Sequence, residues 1–234
     1  MQSRMTRTVC RALCALVLTG GNVRADEPVV ASPSPSPTVL PPAAAAPRSV
    51  RISFVPPPLE GTISLGIYDS TGKLVRVLHK RASLEAFTVG ADALITKWDG
   101  KDDHGVDLPA GKYHARGYAV GPLQVENAPD ASPASSSPPD RVPVKLTPNP
   151  LVKNDQPNVE VAAGFDDTGS FLKTADDLPL FMVSERLNIS HVAMAKTGDK
   201  SVDVWQDSGA GPEHFRISRL DQMMAFDCGS FDLK

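Results

Sequence analysis

Two proline-rich stretches constrain this chain more than any other feature. They hold many of its 22 prolines. Residues 26–49 contain Ser-Pro-Ser-Pro-Ser-Pro and Pro-Pro-Ala-Ala-Ala-Ala-Pro, and residues 122–145 contain Ala-Ser-Pro-Ala-Ser-Ser-Ser-Pro-Pro at 131–139. Segments of this kind bury too little apolar surface to fold, and they read as extended, semi-rigid spacers. Two regions are left to form cores: 50–121, between the spacers, and 146–234, after them.

The first region has a period of two. Ile52 and Phe54 alternate with polar neighbours, and Ile63, Leu65 and Ile67 do so again. Asp69-Ser70-Thr71-Gly72 is a turn signal, after which Val75 and Val77 resume the alternation. Phe87 and Val89 follow, and Ile95 to Trp98 runs into Asp99-Gly100, a second turn. Residues 101–111 are polar and Gly-rich with Pro109, and Tyr113 to Val120 closes the series. Short strands about every ten residues, with no stretch of helical period, predict an all-β sandwich. In 146–234, Val159–Ala163, Phe181–Ser184, Val192–Ala195, Val202–Trp205 and Phe215–Ile217 read as short strands, with Met223–Phe226 as a candidate for another. This predicts a second small β-rich domain, or the start of a repeat array.

The N-terminus reads as an export signal. Arg4, Arg7 and Arg11 precede the short apolar stretch Ala12–Thr19, and Val23 and Ala25 put small residues at −3 and −1 of a cleavage site before Asp26. The alternative is an uncleaved cytosolic N-terminus. Cys10 and Cys14 fall inside the signal, so the mature chain keeps only Cys228 and no internal disulfide. Export without disulfides points to a bacterial source, where the Asn188-Ile189-Ser190 acceptor pattern carries no glycan. A net charge of −3 argues against nucleic-acid binding, and no apolar run is long enough for a membrane span after signal removal.

Two stretches of the first region carry a resemblance. Ile67-Tyr68-Asp69-Ser70-Thr71-Gly72-Lys73-Leu74-Val75-Arg76 resembles the I-Y-D-x-x-G-x-x-V-R hairpin of FlgD-type Ig-like domains, named after the flagellar hook-capping protein. Trp98-Asp99-Gly100-Lys101-Asp102-Asp103-His104-Gly105, with Leu108-Pro109-Ala110-Gly111-Lys112-Tyr113, resembles that family's W-D-G-[KR]-D-x-x-G-x-x-[LV]-P-A-G-x-Y signature. The resemblance covers residues 50–121. It implies an Ig-like β-sandwich in an exported bacterial protein, with Tyr68, Asp69, Gly72, Trp98, Asp99, Gly100, Gly105, Pro109, Gly111 and Tyr113 as structural signature positions. The chemistry of the residues agrees. Trp98 would bury its ring and keep its N–H near the wet end. Asp99 can accept from following amides beside a positive-φ Gly100, Pro109 suits a strand edge, and Tyr113 would turn its ring inward.

Few constellations point to chemistry. Asp99, Asp102, Asp103 and Asp107 form an acidic loop that is either a Ca²⁺ site or a hydrated hairpin loop; Lys101 breaks the calcium-loop spacing. Asp167-Thr168-Gly169-Ser170 resembles an aspartic-protease motif, echoed by Phe226-Asp227-Cys228-Gly229-Ser230, but it also reads as an ordinary turn, and the spacing is too short for two lobes. Cys228 with His191 or His214 would make a nucleophile–base pair; the other reading is a buried thiol. Trp205-Gln206-Asp207 with Glu213-His214-Phe215 would line a sugar or peptide groove, or else Trp205 is packed in a core. The expectation is therefore a non-enzymatic scaffold or protein-binding unit of the bacterial envelope or cell surface. It would have no catalytic residues, cofactor or metal, and its partners would be other envelope or surface proteins. The alternative is an exported hydrolase or carbohydrate-binding protein with its site in 146–234.

Overall fold

The computed structural model describes residues 48–128, 141–151 and 157–234. The expected signal at 1–25 and all but the end of the expected spacer 26–49 lie outside them. The alternating segments form strands. In chain order these are β1 (Val50–Phe54), β2 (Thr62–Tyr68), β3 (Leu74–Ala82), β4 (Thr88–Val89), β5 (Leu94–Trp98), β6 (Gly111–Val120), β7 (Gln124–Asn127) and β8 (Val142–Lys145). They continue with β9 (Asn158–Asp166), β10 (Gly169–Thr174), β11 (Pro179–Ser184), β12 (His191–Gly198), β13 (Ser201–Asp207), β14 (Pro212–Ser218) and β15 (Met223–Leu233). The chain is all-β, as expected, and sandwich-like.

Four antiparallel sheets result, with orders β1-β5-β4, β15-β6-β2-β3, β11-β10-β9-β8 and β12-β13-β14-β7. The first two enclose one core of Ile52, Phe54, Leu65, Ile67, Leu94, Trp98, Tyr113, Phe226 and Leu233, among others. A second core joins the other two sheets through Val142, Val161, Leu172, Leu180, Val204 and Ile217. Tyr118 and Val120 of β6 and Met223 of β15 also enter it. Sheet β15-β6-β2-β3 thus contributes to both cores. Each fully buried aliphatic side chain contributes about 1.5–3 kcal/mol.

The sheets cross the boundary that composition suggested. The segment 122–145 reads as a spacer, yet its described ends are strands. β7 pairs with β14, while β8 buries Val142 and Val144 and places Pro143 outward on a sheet edge, where its missing N–H costs nothing. Nor is 146–234 self-contained, because its last strand, β15, pairs along β6 from Met223↔Val120 to Leu233↔Gly111. A bulge makes that long pairing workable. The register shifts between Asp227 and Gly229, and Gly229 takes φ +82°. The extra residue reverses the in–out alternation, so Phe226 before the bulge and Leu233 after it reach the same core.

Candidate functional site

The signature residues build two tight hairpins. Asp69 Oδ1 accepts from Thr71 N (2.8 Å), the Thr71 hydroxyl (2.6 Å) and Lys73 N (3.1 Å). The Thr71 hydroxyl foremost, then these amides, hold the carboxyl below its usual range. Gly72 closes the turn at φ +83°. Tyr68 is buried under the Arg116 guanidinium, 4.0 Å from its ring centre, and burial pushes its phenol far up. In the second hairpin, Trp98 Nε1 donates to Lys101 O (2.8 Å), Asp99 Oδ1 accepts from Lys101 N (3.1 Å), and the Tyr113 hydroxyl donates to Pro109 O (2.9 Å). Gly111 opens β6 behind Pro109. The Trp98 and Tyr113 rings meet edge to face at 5.1 Å. Gly100 takes φ +78°, and a Cβ there would lie 2.9 Å from Leu233 Cδ1, so this hairpin closes directly onto β15.

The acidic loop directs its carboxylates at protein groups. Asp102 accepts from His104 N (2.9 Å) and Val106 N (2.8 Å) around Gly105, and these amides, Val106 first, lower its carboxyl. Asp103 accepts from Val77 N (3.0 Å), and Asp107 lies 3.4 Å from Arg48. Among the described residues no group of three or more His, Cys, Asp or Glu is placed to hold a metal.

The Asp167 and Asp227 motifs do not converge on one sheet. Asp167 is exposed on the β9–β10 turn, whereas its neighbour Asp166 caps that turn through Thr168 and pairs with Lys80. Ser170 of the same motif is wholly buried. Asp227 is exposed on β15. Burial pushes the Cys228 thiol up to about 12, and it packs against the first core rather than beside His191 or His214 on β12 and β14. Trp205 lies opposite His214 on neighbouring strands, and the rings stack at 4.7 Å. Val204 points to the core, so Trp205 faces away from it.

Three arrangements escaped the sequence reading because each depends on which strands pair and in what register. In the first, Ser230 Oγ lies 3.0 Å from His114 Nδ1, and His114 Nε2 lies 3.0 Å from Asp227 Oδ2; this Ser–His–Asp chain lies across β6 and β15. In the second, buried Asp203 receives both Arg216 Nε (2.9 Å) and Nη2 (3.0 Å), which with nearby His214 outweigh burial and lower its carboxyl.

The third is a cleft of about 630 Å³ where β2 begins and β6 ends against β11, the edge strand of its sheet among the described strands. Val120, Pro122, Phe181 and Met182 give it apolar walls; Arg81, Glu60 and Glu185 supply its charges. Arg81 is there because β3 bulges: Ile63 pairs with Ala82 and Leu65 with His79, so Lys80 and Arg81 together oppose Ser64. Arg81 takes φ +51°, uncommon for a side chain of this size, and its N–H donates to Ser64 Oγ (3.1 Å). Its guanidinium rests near the Phe171 ring, and buried Nη1 has no hydrogen-bond partner among the described residues. A second cleft, about 600 Å³, carries Lys145, Lys196 and Lys200 on its rim, but Lys200 is already paired with Asp221 at 2.8 Å.

Fold and clefts together define an all-β, sandwich-like protein with two cores and a charged cleft beside a strand edge. No protein-family model matches the chain, and no match is found among curated proteins or solved structures.

Proposed function

We propose that the chain is an exported bacterial protein, with residues 1–25 removed, that acts as a non-enzymatic scaffold and protein-binding unit in the envelope or at the cell surface. In this reading the FlgD-type Ig-like module supplies the rigid frame, and other envelope or surface proteins are the partners. The supporting observation is the Arg81 cleft: apolar walls, a few convergent charges and an adjoining strand edge suit recognition of a polypeptide. A photo-crosslinking residue in place of Met182, in the full chain expressed in a bacterium, tests this. The expected result is a mature N-terminus at Asp26 and one discrete adduct with an envelope protein. A cytosolic chain retaining Met1 and forming no adduct would overturn it.

The Ser230–His114–Asp227 chain favours a second reading, a hydrolase acting on activated esters. It ranks second because Ser230 and Asp227 are exposed on β15 and line neither cleft described above, and nucleophilic catalysis needs a substrate held against the nucleophile. Hydrolysis of p-nitrophenyl acetate that disappears in Ser230→Ala would promote this reading.

A further inference from the structure

We infer that the Arg81 cleft binds an extended, apolar peptide segment carrying a basic side chain, an inference that rests on the protein-binding reading and names its partner's chemistry. Three observations carry it.

The first is the bulge. β3 slips against β2 at three points, between Ile63 and Leu65, Leu65 and Gly66, and Ile67 and Tyr68, and each extra residue costs a ladder position; bulges recur where a side chain must be re-aimed. Here the bulge and the left-handed backbone at residue 81 bring the Arg81 side chain into the wall of the cleft. Strain of this sort costs on the order of 1–3 kcal/mol and needs compensation from the surroundings. The Ser64 hydroxyl compensates only the backbone N–H.

The second is the state of the guanidinium. Its Nη1 is shielded from solvent and has no acceptor among the described residues. Two carboxylates, Asp166 and Glu185, act on the guanidinium through their charge without a hydrogen bond, and Asp166 is already paired with Lys80. A buried donor without an acceptor is unfavourable. A peptide carbonyl seated in the cleft, with a small shift of the fork, supplies one.

The third is the charge balance. Glu60 and Glu185 are exposed on the rim, and among the described residues neither makes a hydrogen bond or close ion pair, though the Glu185 charge acts on the Arg81 guanidinium. Two carboxylates against one guanidinium leave the cleft net negative. A ligand carrying its own carboxylate would meet repulsion, whereas a Lys or Arg side chain would be drawn to the rim. The apolar walls take the side chains on the other face of the segment. Among the described strands β11 is paired on one side only, by β10, which gives an extended segment a strand edge to follow.

The test uses the full chain and a fluorescein-labelled nonapeptide, Thr-Val-Thr-Val-Lys-Val-Thr-Val-Thr, followed by anisotropy, beside the same peptide with Glu in place of its Lys. The Lys peptide is expected to bind at least tenfold more tightly. The Glu60→Gln/Glu185→Gln double variant changes only exposed positions, and it is expected to erase that preference. Arg81→Gln is expected to weaken both peptides. Equal binding of the two peptides, or a preference that survives the double variant, would overturn the inference. If neither peptide binds while the residue-182 crosslink still captures an envelope protein, this partner chemistry is wrong but the binding reading stands. If the crosslink also fails, both fall. A crosslink only to a second copy of the chain overturns the peptide assignment in favour of self-association.

Discussion

Phe54 on β1 and Phe226 on β15 stack face to face, with ring centres 4.7 Å apart and planes 14° from parallel. The last strand of the chain is thus a wall of the core that the first strand opens. Removal of residues 223–234 takes Phe226 and Leu233 from one core and Met223 from the other. It also exposes the edge of β6. The truncated chain is expected to lose cooperative unfolding in both halves, read by circular dichroism and amide exchange. A truncated chain in which 50–121 keeps native protection would show that β15 is dispensable there.

The Trp98 indole combines complete burial with a hydrogen bond to Lys101. Trp98→Phe removes the donor and part of the packing, and it is expected to cost about 2–3 kcal/mol. Trp205, half-buried on the far side of its sheet, is expected to cost about 1 kcal/mol in the same exchange. Urea midpoints of the two variants give the comparison directly; equal losses would contradict it.

These two tryptophans show what could be read in the sequence. The environment of Trp98 follows from local chemistry, since Asp99, Gly100 and Lys101 close the hairpin within a few residues of the ring. The same holds for Asp69 and Gly72. Trp205 depended on which face of β13 turned inward, and that is settled by β14 and by the second core. Local composition also misdirected: Val125 and Val142 lie in a stretch dominated by Ser and Pro, yet strands from elsewhere in the chain recruit both. The basic run His79-Lys80-Arg81 reads locally as a solvated loop, whereas all three lie in β3; the Arg81 cleft depends on a bulge, a mismatch between two strands that one strand alone does not reveal.

Asp166 makes stability depend on acid. Its partial burial works to raise the carboxyl, but hydrogen bonds from Lys80 and Thr168 and the Lys80 charge outweigh it and hold it at about 2. The unfolded value is about 3.9. The contribution is therefore complete above about pH 4 and lost as pH falls through about 2. Both partners are roughly a third exposed, so solvent screening limits it to about 1 kcal/mol. Asp166→Asn is expected to lower stability by that amount at pH 6, and most of the gap from the parent should be gone at pH 2. A gap that stays constant across this range would dissociate the effect from the carboxylate.

Cys228 is expected to resist thiol reagents in the native state. Burial foremost, with the neighbouring Asp227 charge, pushes its thiol up to about 12, which leaves almost no thiolate at pH 8. With Cys10 and Cys14 replaced by Ser, reaction with Ellman's reagent should be slow until denaturant is added. Rapid native labelling would place the thiol at the surface and reopen its candidacy as a nucleophile.

Gln206 offers the sharpest test of how the second core tolerates polarity. It is 1% exposed. Its Oε1 accepts from the Ser170 hydroxyl (2.5 Å), and its Nε2 donates to Ser184 Oγ (3.2 Å) and to Glu213 Oε2 (2.7 Å). Arg186 closes the network from the surface, and its hydrogen bond, more than the one from Gln206, keeps the Glu213 carboxyl below its usual range. Gln206→Leu fills a similar volume but strands the fully buried Ser170 hydroxyl and leaves Glu213 Oε2 only the longer bond from Arg186 Nε (3.3 Å), at an expected cost of about 2–3 kcal/mol. Gln206→Glu should cost more at pH 7, because it buries a second carboxylate beside Glu213. Burial and that neighbour would raise the introduced group's folded pKa above its unfolded value. The folded state then binds the extra proton more readily, and the variant should regain stability relative to the parent as pH falls from 7 to 5. Chemical denaturation at the two pH values separates the cases: a Gln206→Leu loss under about 0.5 kcal/mol, or a pH-independent Gln206→Glu loss, would show that the network does not hold the two sheets together.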